Sequence, residues 1–482
     1  MSTTVVPMRI GAHRVHHGTD PANVIIVSSP FDGREIARVP NGTTADLDAA
    51  VAAALERHRR GPAMPVHQRA TILDRAVLLL SEPDRQERFA RLISDEAAKP
   101  IKTARVEASR TVDTFRFAAT TARTLTGETI PLDAMSIGEG KLGFVLRVPI
   151  GVVAAVSPFN FPLNLVAHKV APAIAAGCPV VLKPASATPL SALALADLLL
   201  DECGLPDGWL NVVTCGGATA EHLVTHPDVA LITFTGSPEV GWGIKARAPR
   251  AKVGLELGNN APVVIEPDGR VAEAAAKISV AGFTHAGQSC ISVQRIFVHV
   301  DVAEAFEAAL QERVEALVVG DPAHDDTDVS ALINAGESDR VEAAIDRAVA
   351  GGARIVCGGG RSRENIVRPT VLADVRPDME VCHTEIFGPV VAIQTYTSFD
   401  DALALANDTR YGLQAGVFTA DLAKALHAAR TLDFGGVLVN EVPTWRADQM
   451  PYGGVRDSGN TREGPAYAAH EMTEPRLVIL SP

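Results

Sequence analysis

Three residues of this 482-residue chain could act together on a carbonyl carbon. Cys290 ends the tetrapeptide Gly287-Gln288-Ser289-Cys290, Glu256 lies in Leu255-Glu256-Leu257-Gly258, and Asn160 in Pro158-Phe159-Asn160-Phe161-Pro162. An ionised thiol is a nucleophile, and a carboxylate among leucines has its pKa raised toward that of a general base. A primary amide can donate to a developing oxyanion. Gly287 and Gln288 permit a tight turn that exposes the thiol, and a helix or turn N-terminus there lowers its pKa toward the thiolate. Each residue also has a plainer reading on its own: a core cysteine, an end-of-strand glutamate, an asparagine holding a turn. Cys178, Cys203, Cys215, Cys357 and Cys382 have no comparable setting, and no spacing suggests a metal site.

The elements that must hold these residues alternate strand and helix. Residues 151–156, 179–182, 210–213 and 230–234 read as buried strands, with amphipathic helices over 163–176 and 189–202 between them. That spacing predicts parallel pairing with right-handed crossovers, a doubly wound sheet. Residues 45–59 and 68–98 read as helices ahead of it. A second α/β series follows Glu256: helices over 271–286, 302–317 and 399–407, strands over 295–299 and 390–395. Residues 124–149 alternate apolar and polar around Gly138-Glu139-Gly140, which predicts a β-hairpin. The tail at 475–480 reads as a strand with no partner in either series. Such surplus strands are material for a subunit interface.

With 47 % hydrophobic and 21 % charged residues, the composition is that of a globular protein of two or three domains. A net charge of −13 argues against nucleic acid or an anionic membrane surface as the main partner, while leaving room for a local basic pocket. The start of the chain has no charged segment followed by an apolar core, and the apolar run 150–156 is far short of the roughly 20 residues of a membrane span. Scattered cysteines suit a reducing cytoplasm. His13, His16 and His17 read as part of a solvated terminus rather than a metal site.

The flanking segments turn these separate signals into a pattern. Besides the three already quoted, the chain carries Lys183-Pro184-Ala185-Ser186, Phe234-Thr235-Gly236-Ser237, Glu385-Ile386-Phe387-Gly388-Pro389 and Pro451-Tyr452-Gly453-Gly454-Val455. In this order they resemble the aldehyde dehydrogenase superfamily, from near Asp20 to the C-terminus. The resemblance implies two doubly wound Rossmann-like α/β domains with a protruding β-hairpin oligomerisation element. Residues 1–123 and 150–255 would bind the cofactor, 256–440 would carry catalysis, and 124–149 with 465–482 would form the oligomerisation hairpin and C-terminal strand of a homodimer or homotetramer.

The resemblance also implies roles. Cys290 attacks the aldehyde, Asn160 and the Cys290 backbone N–H hold the oxyanion, hydride leaves for a nicotinamide, and Glu256 activates water to hydrolyse the thioester. NADP or NAD would be held by Ser157, Pro158, Phe159, Lys183, Ser186, Gly217, Gly236, Ser237, Leu257, Glu385 and Phe387, with no metal. Residues 236–241 follow a strand and open a helix, as pyrophosphate-binding loops do, although they are not GxGxxG. NAD-preferring members often carry glutamate where this chain has Ser186, so the chain is expected to accept NADP. Phe159 replaces a common tryptophan, and Asn259 a common glycine that a left-handed asparagine could stand in for. Lys169 matches a lysine near the family's active site or reads as an exposed helix lysine. Phe161 would shape the substrate mouth. Arg446 would pair with a carboxylate, phosphate, phosphonate or sulfonate on a short aldehyde, or else lie at the surface or an interface. Residues 440–443 and 459–464 look most like the lactaldehyde and phosphonoacetaldehyde dehydrogenase branch. Glu256 favours hydrolysis over acyl transfer to coenzyme A, and retention of all three central residues favours an enzyme over a non-catalytic protein on the same fold.

Overall fold

A computed structural model describes residues 5–18, 20–60, 64–248 and 250–481. Residues 1–4, on which the reading of the chain's start partly rests, and residue 482, the end of the proposed C-terminal segment, lie outside it. Two seven-stranded sheets organise the chain. The first runs in the order Lys252–Glu256, Val229–Thr235, Val152–Val156, Val180–Lys183, Leu210–Val212, with an antiparallel hairpin, Met8–Ile10 and His13–Val15, on its edge. Its five central strands are parallel. They are continuous Val/Ala/Leu/Ile runs rather than alternating ones because helices cover both faces. The second sheet, in the order Arg354–Cys357, Thr370–Ala373, Val390–Tyr396, Val293–His299, Ala261–Ile265, Gln414–Phe418, Gly436–Val439, is parallel except at its first strand. Both are doubly wound α/β units.

Strand order in the first sheet reverses between Val152–Val156 and Val229–Thr235. In open α/β sheets, ligands collect at the carboxyl ends of the strands beside such a reversal. The loops leaving those two strands carry Ser157 to Asn160 and Gly236-Ser237, and the neighbouring strand ends at Glu256.

Several expectations change at this level. The single helix expected over 68–98 is two, Val66–Leu80 and Pro83–Ala97, because proline fits the first turn of a helix and not its interior. The longest helix, Ile101–Thr124, escaped sequence reading altogether. It presents Thr103, Val106, Glu107, Arg110 and Thr114 on one face at three- and four-residue spacing, polar enough to mask an amphipathic pattern. The helix expected to reach residue 286 stops at Ala281. The expected hairpin is closed by 3-10 turns, Leu132–Ala134 and Ser136–Gly138, and pairs Thr129–Ile130 with Leu142–Pro149. The tail strand, without an evident partner in the sequence, pairs antiparallel along the whole of Leu142–Pro149 as Thr473–Leu480. Leu142, Leu146, Leu477, Ile479 and Leu480 of this sheet are exposed. Among the described residues no helix is long and apolar enough to cross a membrane, and no group of side chains has metal-binding geometry.

Candidate active site

Cys290 follows an unusual turn. His285 and Ala286 hold φ of 52° and 53°, and Gly287 φ of 71°. Left-handed backbone costs a non-glycine residue about 1 kcal/mol or more, so tertiary contacts impose this shape. A Cβ on Gly287 would collide with the carbonyl oxygen of Gly388, which explains the glycine. No helix begins at Cys290; the chain runs on into the strand Val293–His299. The expected helix-terminus acidification is therefore missing, and burial pushes the thiol up to about 12. Cys290 is the half-buried member of six free cysteines, and the other five are buried.

The thiol opens into a cavity of about 230 Å³ lined by Cys290, Glu256, Phe161, Arg110, Arg446, Tyr452, Glu463 and His285, among others. Glu256 ends its strand with both carboxylate oxygens buried and unpartnered, so it is not an ordinary surface carboxylate. Burial, and then the neighbouring Glu463, push its pKa well above the usual range. Asn160 is buried, and its Nδ2 donates to Gln288 O at 2.9 Å. An amide nitrogen has two hydrogens, so this bond fixes the group and leaves one donor unspent.

Behind the cavity lies an ion network. The Arg446 side chain is 6 % exposed, donates to Glu463 at 2.9 Å and stacks on the Tyr452 ring with its Cζ 3.8 Å from the centroid. It is not a surface residue. Burial works against ionising Glu463, yet Arg446 and Lys169 outweigh it and hold its pKa down to about 2. Lys169 is likewise buried rather than exposed, 3.7 Å from Glu463 and hydrogen-bonded to Thr233 and Thr235 across the sheet reversal. Asp448 accepts two bonds from Arg110, at 2.8 and 3.1 Å, and lies 2.9 Å from His168. Lys99 stacks over Phe161 at 3.6 Å and is paired with Glu107, which also accepts from the backbone of Leu163 and Asn164. Arg110, Tyr452, Asp448, Glu463 and His285 went unassigned in the sequence. Tyr452 and Glu463 lie in noticed segments, Pro451-Tyr452-Gly453-Gly454-Val455 and residues 459–464; the others are common residue types that only long-range packing brings together.

The cofactor candidates line the carboxyl ends of the first sheet and the facing loop of the second. Lys183 is buried with its amine unbonded among the described residues, and burial lowers its pKa. The Ser157 hydroxyl is buried and unpartnered. Ser237 caps the helix Pro238–Arg247 directly after Gly236, and Gly217 opens the helix Gly217–Val224 onto empty space. Glu385 accepts from Asn259 N at 2.9 Å, and burial raises its pKa to about 7. A Cβ on Gly258 would push the Glu385 carboxylate aside, so the glycine leaves that group its present place. Phe387, at φ 50°, meets Phe159 edge to face at 5.9 Å. Leu257 joins the two regions by lining the catalytic cavity, and Pro158 precedes Phe159 in the loop. An unspent amine, an orphan hydroxyl, a capped helix start, a carboxylate and an aromatic pair fit a dinucleotide. Asn259 departs from expectation: it is not left-handed, and its amide donates to Gln414 O at 3.2 Å. Ser186 Oγ donates to Cys215 O at 2.9 Å.

A doubly wound pair of α/β sheets with a thiol and an unpaired carboxylate in one cavity, beside side chains that suit a dinucleotide, is the arrangement of a thiol-dependent dehydrogenase. Residues 17–478 match the aldehyde dehydrogenase family. Over 456 residues the chain is 44 % identical to the 3-sulfolactaldehyde dehydrogenase of Priestia aryabhattai, covering 94 % of each. Among solved structures, aldehyde dehydrogenase 21 from Physcomitrella patens, in complex with the reaction product succinate, matches at TM-score 0.95 and 38 % identity, covering 100 % of this chain and 99 % of that one. A glyceraldehyde-3-phosphate dehydrogenase from Methanocaldococcus jannaschii complexed with NADP matches at 0.91 and 35 %, covering 95 % and 99 %. The chain belongs to the aldehyde dehydrogenase family, and its reaction is the oxidation of an aldehyde to the acid.

Proposed function

We propose that this enzyme oxidises a short aldehyde bearing an anionic tail, with NADP or NAD as hydride acceptor. One observation carries the substrate class. Arg110 and Arg446 both line the cavity that holds Cys290 and Glu256, and each spends Nη2 on its own carboxylate while Nη1 stays unbonded among the described residues. The paired Asp448 and Glu463 hold the two guanidinium planes, and the free edges remain for a carboxylate, sulfonate or phosphate. The raised pKa of Glu256 reduces the repulsion such an anion meets on entering. His285 lines the same cavity with both ring nitrogens buried and unpartnered, which leaves a donor and an acceptor for a hydroxyl or carbonyl along the substrate. The relatives named for sulfolactaldehyde and complexed with succinate act on, or release, anions of this kind.

In this reading the Cys290 sulfur attacks the aldehyde carbon, and the oxyanion is held by the unspent Asn160 N–H and the Cys290 backbone N–H. The oxidised nicotinamide, when bound, supplies the acceptor for the hydride that leaves the thiohemiacetal carbon. Glu256 takes a proton from water, which hydrolyses the thioester and releases the acid. Lys183, Ser157, Gly236, Ser237 and Glu385 hold the dinucleotide. The exposed apolar residues on both faces of the Leu142–Pro149 and Thr473–Leu480 pair support assembly into a homodimer or homotetramer through that sheet.

The test is a panel of short aldehydes of matched length, anionic, hydroxylated and apolar, run with each cofactor. Anionic aldehydes are expected to lead in kcat/KM by about a hundredfold, and Arg110→Gln to remove most of that lead, because unpairing a buried charged hydrogen bond costs about 2–5 kcal/mol. A wild type that prefers apolar aldehydes would refute the substrate class.

Cofactor selectivity is a separate prediction. Ser186 is uncharged and engaged with a carbonyl, so nothing at this position repels a 2′-phosphate, and Lys183 offers an unspent amine nearby. Ser186→Glu should lower the NADP/NAD ratio of kcat/KM by about a hundredfold, since like-charge juxtaposition costs several kcal/mol. An unaltered ratio would leave the selectivity argument without support.

A further inference from the structure

Tyr452 stands against the reacting sulfur. Its hydroxyl oxygen is 2.9 Å from Cys290 Sγ and has no other hydrogen-bond partner among the described residues. The side chain is 3 % exposed and enters from the chain's return past residue 440, not from the turn that carries Cys290. Other contacts fix it. Tyr452 N donates to Glu463 O at 3.1 Å, Glu463 N donates to Tyr452 O at 2.6 Å, and the Arg446 guanidinium lies over the ring. The hydroxyl is therefore aimed at the sulfur by its own backbone pairing and by stacking, independently of the Cys290 turn.

We propose that Tyr452 is a catalytic residue of the thiol step, whose O–H donates a hydrogen bond to the Cys290 thiolate and holds the sulfur in place for attack. The proposal rests on Cys290 being the nucleophile. The thiol proton leaves to solvent water, so the Glu256 carboxylate stays free for the hydrolytic step. The sulfur lone pair then forms the S–C bond while the carbonyl π pair moves onto oxygen, and the phenol proton stays on Tyr452 throughout. A hydrogen bond to an ionised acceptor is stronger than one to its neutral form, so a fixed O–H favours thiolate over thiol. Burial and the adjacent sulfur keep the phenol protonated far beyond neutral pH, so the donor is always present. Burial otherwise raises the cost of ionising the thiol, and the Tyr452 hydrogen bond favours the thiolate more than the charge of Arg446 does. Once sulfur is bonded to carbon it accepts hydrogen bonds poorly, and Tyr452 then leaves the later steps untouched.

Alkylation of Cys290 by iodoacetamide, followed by mass spectrometry across a pH series on the full chain without aldehyde, reads this directly. The other five cysteines are buried, so the signal is assignable. Tyr452→Phe removes only the hydroxyl. It should slow alkylation about tenfold at every pH below the thiol midpoint, with kcat/KM falling in parallel and with melting temperature and NADP binding unchanged. Replacing Tyr452 with fluorotyrosine, a stronger donor of the same shape, should speed alkylation in the same pH range. An unchanged alkylation profile in both variants would overturn the proposal, and a loss of kcat/KM without it would assign Tyr452 to packing beneath Arg446. Failure of the underlying nucleophile reading would register differently, as turnover surviving in a Cys290→Ala enzyme.

Discussion

Cys290→Ala is expected to abolish aldehyde oxidation, with turnover down by about 10⁵-fold, while NADP binding stays within about twofold of wild type. The prediction separates chemistry from scaffold. Of the cavity's side chains only Cys290 supplies a sulfur, and the other five cysteines are buried in the cores. Ser289 lines the same cavity, but a serine without a base at hydrogen-bonding distance is a poor substitute. The shape of the turn does not depend on the sulfur. His285, Ala286 and Gly287 are held left-handed by their surroundings, and Asn160 clamps the turn through Gln288 O rather than through the thiol. The dinucleotide candidates Lys183, Ser186, Gly236 and Glu385 sit on other elements. Reduced-cofactor absorbance measures the first quantity and titration calorimetry the second. Turnover retained in the alanine variant would sink the mechanism; lost binding would mean that the turn and the cofactor-holding residues are coupled.

The first sheet was legible because its strands are short runs of Val, Ala, Ile and Leu between helical periods, and a doubly wound sheet is what such alternation builds. Of the second sheet only Val293–His299 and Val390–Tyr396 were read as strands, with helices around them, so its α/β class was legible but most of its strands were not. Helix Ile101–Thr124 was not, although it supplies Arg110 and Glu107 to the cavity. Its core-facing residues are mostly alanine and threonine, and its first turns carry Glu107 and Arg110 into the cavity, so the hydrophobic period that betrays a helix is weak. Functional sites are where local sequence rules fail most readily.

The site divides along the same line. Cys290, Glu256 and Asn160 each carry a local signature of flanking glycine, leucine or proline. Asp448 has none, and Tyr452 and Glu463 lie in noticed segments that gave them no role: the meaning of Glu463, Asp448 and Tyr452 lies in contacts to Arg446, Arg110 and Cys290, the last two 338 and 162 positions away. The expected acidification of the thiol failed for a related reason. A glycine before a cysteine says that the chain turns, not that a helix starts there, and here the next element is a strand. Charge is the recoverable part: Arg446 was noticed because the family resemblance places it at the substrate mouth, but its partner 17 residues on was not given a role.

Glu256→Gln should stop the enzyme after one turnover. A burst of reduced cofactor stoichiometric with enzyme is expected, then a steady rate lower by about 10³-fold, as the Cys290 thioester accumulates. The argument is electrostatic. Both Glu256 oxygens are buried and unbonded, so no structural hydrogen bond is lost on substitution, and glutamine fills the same volume. What disappears is a base whose pKa burial and Glu463 have raised toward the working range. The sign of the pH dependence follows: a base acts when deprotonated, so wild-type thioester hydrolysis should rise with pH through the Glu256 pKa, and that limb should vanish in the variant. A limb that persists unchanged belongs to another group. Hydroxylamine, a nucleophile needing no base, should release the stalled acyl group and restore turnover. Coenzyme A should do so no better than a simple thiol of equal basicity, because hydrolysis rather than acyl transfer is the proposed exit. Rapid turnover of the variant with coenzyme A alone would instead favour the acylating reading and remove Glu256 from the mechanism.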